Sequence, residues 1–182
     1  ELTEMRRVVF TIGFLLLGSL SWTANATLFP KPDDLHSSVE FWKRVYTEID
    51  RSKGFLHDKR DLSVVYQTID IPRNASRKKR KGIVKWHRQK LRATLNRIAE
   101  KPVEALKGED RRIRALFGQN ASAKTIRAAA GKIRFQLGQA DKFRSAINKS
   151  GIYMPFIRQQ FVDAGLPEEL SALPFVESSF HT

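Results

Sequence analysis

Apolar positions fall into one unbroken run near the N-terminus, Val8–Leu20, and then into segments of helical period. Val39, Trp42, Val45, Tyr46 and Ile49 recur at helical steps, and Ser37 with Glu40 makes a capping box. The spacing therefore predicts a helix from Ser37 to about Arg51, behind an extended lead-in, Leu28–Asp34, that carries Pro30 and Pro32. Leu62–Ile71 is rich in Val, Ile, Tyr and Thr and stops at Pro72, which predicts an extended segment. Ile83, Trp86, Leu91, Leu95 and Ile98 predict a helix with one packing side. Ser122 is expected to cap a helix over Ala123–Lys132. Gln139–Ser150 reads as another, stopped by Gly151. Ile152–Ala164 follows as a separate helix with Ile152, Phe156, Ile157 and Phe161 on one side and Gly165 as its C-cap residue. Helices this short need partners, so the expected fold class is mainly α, a helical bundle.

The N-terminal run carries the first functional information. Met5-Arg6-Arg7 precedes it, and Ala24-Asn25-Ala26 follows with the small residues that a signal peptidase accepts. Thirteen helical residues fall roughly 10 Å short of a 30 Å hydrocarbon core. Residues 1–26 are therefore expected to be a signal peptide with a short upstream extension, cleaved near Ala26, and the mature protein is expected in the periplasm or cell envelope.

Composition narrows the chemistry. The 182 residues contain no cysteine, which removes thiolate zinc sites, thiol nucleophiles and acylation on an N-terminal Cys. Lys and Arg number 33 against 19 Asp and Glu, a net charge of +14. Between Arg73 and Lys101 twelve basic residues face Glu100 alone. That stretch reads equally as a solvated helix flank and as a face for an anion. No glycine-rich phosphate loop, RNA-binding aromatic signature or zinc-finger spacing accompanies it, and export sets the protein among wall polymers and lipid headgroups, so no nucleic acid partner is expected.

The candidate chemistry lies at the C-terminus. Pro167 opens the last predicted helix, with Glu168 and Glu169 in its first turn. Leu170, Leu173, Glu177 and Phe180 then step by three, four and three, which puts Glu177 on the apolar stripe of its own helix. A carboxyl group among Leu and Phe side chains loses solvation when it ionises, so its pKa is expected to rise toward the range of a general acid. Pro174 is expected to remove one bond of that helix and bend it, and Ser178 and Ser179 are expected to reach a substrate or the Glu177 carboxylate. Position alone favours a boundary carboxylate with a salt-bridge partner over a proton donor.

The block from Ala164 to Phe180, Ala-Gly-Leu-Pro-Glu-Glu-Leu-Ser-Ala-Leu-Pro-Phe-Val-Glu-Ser-Ser-Phe, resembles the opening of the soluble-lytic-transglycosylase-type catalytic domain. The nearest branch looks like the membrane-bound lytic murein transglycosylase D family, whose fold is related to goose-type lysozyme. The resemblance implies that Glu177 is the sole catalytic acid/base, that Ser178 is the substrate-side serine after it, and that the substrate is peptidoglycan. It implies cleavage of the MurNAc–GlcNAc β-1,4 bond with a 1,6-anhydromuramoyl product. The muramoyl C6 hydroxyl then replaces the second carboxylate of ordinary glycosidases, and no metal or organic cofactor is needed.

On this basis residues 27–130 are expected to form a basic helical region and 131–182 the lead-in helices and start of the catalytic domain. The family continues past its Glu with an aromatic and glycine segment and further helices, whereas this sequence ends at Thr182. The groove is expected to be incomplete here, Glu177 more solvated than in a whole enzyme, and this polypeptide inactive alone. The alternative is a non-catalytic envelope module whose basic helix binds anionic wall polymer.

Overall fold

The computed structural model describes residues 32–180; the expected signal peptide, residues 1–26, lies outside the described residues. Among the described residues six α-helices and three strands follow one another as α1 (His36–Thr47), β1 (Lys53–Asp58), β2 (Val65–Asp70), α2 (Arg77–Glu100), α3 (Gly108–Ala115), α4 (Ala123–Ala129), β3 (Ile133–Leu137), α5 (Ala140–Asp163) and α6 (Leu173–Glu177). The protein is mainly helical, as expected, but its helices gather on a small antiparallel sheet of order β2-β1-β3.

β1 is the hinge of the architecture because successive side chains leave a strand on opposite faces. Leu56 enters a core with Tyr66, Leu91, Leu95, Ile98, Ile113 and Ile126, which joins the second half of α2 to α3 and α4. Phe55, its neighbour, points the other way, into a smaller core with Phe41 and Val45 of α1 and with Ile49 just beyond its end. Every residue from Gly54 to Asp58 is buried as a result. Phe55 pairs with Thr68 on one side and Gln136 on the other, and a register shift lies between Leu56 and His57 on the β2 side.

Two glycines make this packing possible. The Phe135 ring lies where a Cβ on Gly54 would stand. A Cβ on Gly138 would meet the Ile49 and Asp50 carbonyls, which are backbone and have no room to yield. The turn at Gly138 lets α5 dock its first amides on the α1–β1 connection. Gly138 N–H donates to Lys53 O at 2.9 Å, Gln139 N–H to Val45 O at 2.9 Å and Ala140 N–H to Ile49 O at 3.0 Å. Backbone groups that a helix end leaves unpaired thus fix α5 to the sheet.

Four local expectations are corrected. The Ser37–Glu40 capping box does not form: a short 3-10 turn, Asp33–Leu35, feeds α1 directly, Leu35 is its N-cap, and Ser37 lies inside the helix. Gly151 does not stop a helix, since α5 continues through Gly151 and Pro155 for 24 residues. Trp86 does not pack with Ile83 and Leu91; it is 56% exposed, with the Lys90 ammonium 5.3 Å from its ring centre. The last predicted helix is two pieces, a 3-10 segment over Glu168–Ala172 and the short α6. By contrast Ser122 caps α4 as expected, its Oγ accepting from Thr125 N–H at 3.1 Å, and Leu62–Ile71 contains β2.

Candidate functional site: the Glu177 cleft

The chain reaches the site through a turn that the sequence encodes closely. Gly165 takes φ +67°, Gly165 N–H donates to Val162 O, and Leu166 N–H donates to Phe161 O, both at 2.9 Å. This pair of bonds closes α5 in a Schellman motif, which an L side chain at Gly165 would strain. Pro167 then leads into the 3-10 segment, and α6 starts at Leu173. Pro174 falls in the first turn of α6, where its missing N–H costs no helical bond. The expected loss of a bond to Leu170 therefore does not occur.

Aromatic contacts hold α6 against the rest. Tyr46 of α1 lies 5.4 Å from Phe143 of α5, Phe143 lies 5.9 Å from Phe175, and Phe175 meets Phe180 edge-on at 4.9 Å. Tyr153 stacks on Phe180 at 6.2 Å. Pairs of this geometry contribute about 0.5–1.5 kcal/mol each beyond the area they bury. Ser179 and Phe180 both take φ 54°, a left-handed conformation that ends α6 just beyond Glu177.

Glu177, the last residue of α6, is exposed, and so is Leu173 at 47%. The apolar enclosure expected from the Leu170–Leu173–Glu177–Phe180 spacing is absent among the described residues, because the change from 3-10 to α geometry at Ala172–Leu173 breaks the single helical period. Glu177, Ser178 and Ser179 instead form one side of an open cleft of about 340 Å³. Arg51, from the α1–β1 connection, and Asp141, Lys142 and Ser145, from the first turns of α5, form the rest. The hydroxyls expected to reach a substrate are engaged locally: Ser178 Oγ accepts from Phe180 N–H at 3.2 Å, and Ser179 Oγ donates to Phe175 O at 3.1 Å.

Opposite Glu177 the cleft is built by an ion pair. Arg51 Nε donates to Asp141 Oδ2 at 2.8 Å, and Arg51 N–H donates to Oδ1 at 3.3 Å. Burial works to raise the Asp141 pKa, but the Arg51 donors and charge together outweigh it and hold the carboxyl below the usual carboxylate range. Asp141 is thus a fixed anion occupied by Arg51. Lys142 has no ion-pair partner among the described residues and is the cleft's unneutralised cation. The cleft thus sets the exposed Glu177 carboxylate among one engaged ion pair, one unpaired ammonium and hydroxyl groups.

Sequence reading singled out Glu177 and Ser178 but not Arg51, Asp141, Lys142 and Ser145, which line the same cleft. Nothing in the chain connects Arg51 with Asp141 across 90 positions; only the unrecognised β1–β3 pairing does so. The predicted basic face is present on α2, where Lys78, Lys79, Lys81, Lys85 and Lys90 are all exposed. Among the described residues no cluster of three His, Asp or Glu side chains could hold a metal ion, and no helix is long and apolar enough to cross a membrane. The chain matches no family model, no curated protein and no solved structure.

Proposed function

We propose that this chain belongs to an exported peptidoglycan lytic transglycosylase in which Glu177 is the lone acid/base, within a goose-type lysozyme-like catalytic fold. The Ala164–Phe180 block carries the reading. The cleft supports it, because Glu177 and Ser178 stand beside cationic and hydroxyl groups that suit a carboxylate-bearing glycan. In the reaction Glu177 gives its proton to the oxygen between MurNAc C1 and GlcNAc C4 as the C1–O bond breaks. The muramoyl C6 hydroxyl closes on C1, and its proton returns to the Glu177 carboxylate. The products are a 1,6-anhydromuramoyl end and a free GlcNAc 4-hydroxyl, with neither water nor cofactor consumed.

Glu177 is exposed and lacks the walls of a closed sugar groove among the described residues, so residues 27–182 by themselves are not expected to clear a murein suspension, and turbidity of that mixture checks the point directly.

A second reading is favoured by the exposed cationic side of α2: a non-catalytic envelope module that docks on anionic wall polymer. Salt-sensitive sedimentation with sacculi that survives Glu177→Gln, without release of anhydro sugars by the protein, would select it. Location in the periplasm or envelope belongs to both readings.

A further inference from the structure

The first half of α2 carries a feature that the Glu177 reading does not use. Arg80, Lys81, Lys85 and Arg88 line a cleft of about 320 Å³ whose apolar floor is Val84 and Phe135, and no acid takes part in the lining. Arg80, Val84 and Arg88 repeat every four residues along one stripe of the helix, with Lys81 and Lys85 on the next. The Nε–H groups of both Arg80 and Arg88 are buried and have no acceptor in the protein. A buried guanidinium donor left unpaired costs stability, and like charges four apart on a helix repel. None of the four cations is in an ion pair among the described residues, although Asp, Glu and Arg pair freely elsewhere on this surface.

We propose that this cleft is a binding site for a phosphate group, with the Arg80 and Arg88 guanidinium groups donating to its oxygens and the Lys81 and Lys85 ammonium groups balancing its charge. Phosphate fits better than carboxylate. It offers more acceptor oxygens and up to two negative charges against four cations, and its geometry matches the guanidinium fork. Val84 and Phe135 accept the carbon framework that bears the phosphate. The proposal is independent of whether Glu177 cleaves a glycan. The phosphate belongs either to an anionic lipid headgroup at a membrane surface or to a small soluble phosphate, and the recognising chemistry is shared.

The test titrates the whole chain with inorganic phosphate and, separately, with phosphatidylcholine vesicles with and without phosphatidylglycerol. Two variants are compared: R80K/R88K, which keeps every charge and removes the guanidinium donors, and K107Q/R111Q, which removes two exposed charges outside the cleft. The site predicts that R80K/R88K weakens binding at least about tenfold, as expected for lost charge-assisted bonds, while K107Q/R111Q changes it by less than about twofold. Binding confined to phosphatidylglycerol vesicles identifies a headgroup, and binding of inorganic phosphate identifies a soluble source. No binding of either probe, or a larger loss in K107Q/R111Q than in R80K/R88K, overturns the proposal, since attraction by net charge alone gives that order.

Discussion

Arg51 and Asp141 close the Glu177 cleft from opposite ends of the fold, with Arg51 Nε 2.8 Å from Asp141 Oδ2 and the Arg51 amide on the other carboxylate oxygen. The pair ties the exit of α1 to the first turn of α5, whose far end carries α6. Arg51 is half exposed, so solvent screens much of the charge attraction. Asp141→Asn is accordingly expected to lower the unfolding free energy measured in urea by only about 1 kcal/mol. A loss several times larger would mean that the pair organises the cleft rather than trimming it.

Phe143 lies between Tyr46 and Phe175, so its removal separates α6 from α1 and α5 together. Phe143→Ala is expected to destabilise by roughly 2 kcal/mol, below the range for a fully buried ring because Phe143 is only half-buried. Faster amide exchange at Phe175 and Val176 than in the parent protein should accompany the loss.

Gly138→Ala should be the most damaging single methyl addition in the described fold, because its neighbours are the Ile49 and Asp50 carbonyls. Gly54→Ala meets the Phe135 ring, which has some freedom to turn, and also the Gln136 carbonyl. Overpacking costs of about 1–3 kcal/mol are expected for Gly54→Ala, and more for Gly138→Ala. Thermal melting of the two variants ranks them.

Two acid-sensitive windows follow from groups near β1. Burial lowers the His57 pKa; its Nδ1–H donates to the Asp58 carbonyl at 2.9 Å, and its ring lies 4.6 Å from Phe41. The unfolded chain therefore takes up this proton first, and stability present above about pH 6.5 is lost as pH falls toward the folded-state value. His57→Leu should reduce the slope of Tm between about pH 7 and 5, leaving the part due to His87, whose pKa is also lowered by burial and by Lys90. Burial of Asp58 works to raise its pKa, but bonds from Arg60 and from the Tyr66 hydroxyl, at 3.1 Å, outweigh it and the net shift is downward. Its contribution is present above about pH 4 and is lost below that, as pH falls through the lowered folded-state value. An unchanged pH 7-to-5 slope in His57→Leu would contradict the assignment.

Helix positions were legible where a local device set them. Ser122 accepts from Thr125 N–H, and Gly165 takes the left-handed turn that its place after Ala164 suggests. The sheet was hidden for two different reasons. β1, Lys-Gly-Phe-Leu-His-Asp, is buried on both faces and so shows no alternation of polarity. β3, Ile-Arg-Phe-Gln-Leu, does alternate and is bounded by Gly131 and Gly138 within a few residues on either side, a signal that could have been read. Residue type and spacing singled out Glu177, but its surroundings were not legible. Its exposure follows from the break between the 3-10 segment and α6, and its neighbours Arg51 and Asp141 arrive through the β1–β3 pairing.

The most direct measurement is mass spectrometry of the muropeptides released from purified sacculi by the protein and by its Glu177→Gln variant. The account predicts 1,6-anhydromuramoyl ends from the parent protein and none above background from the variant. Folding stability should differ by less than about 0.5 kcal/mol, because Glu177 is exposed. Anhydro products still released by Glu177→Gln, or reducing muramic acid ends from the parent, would contradict it.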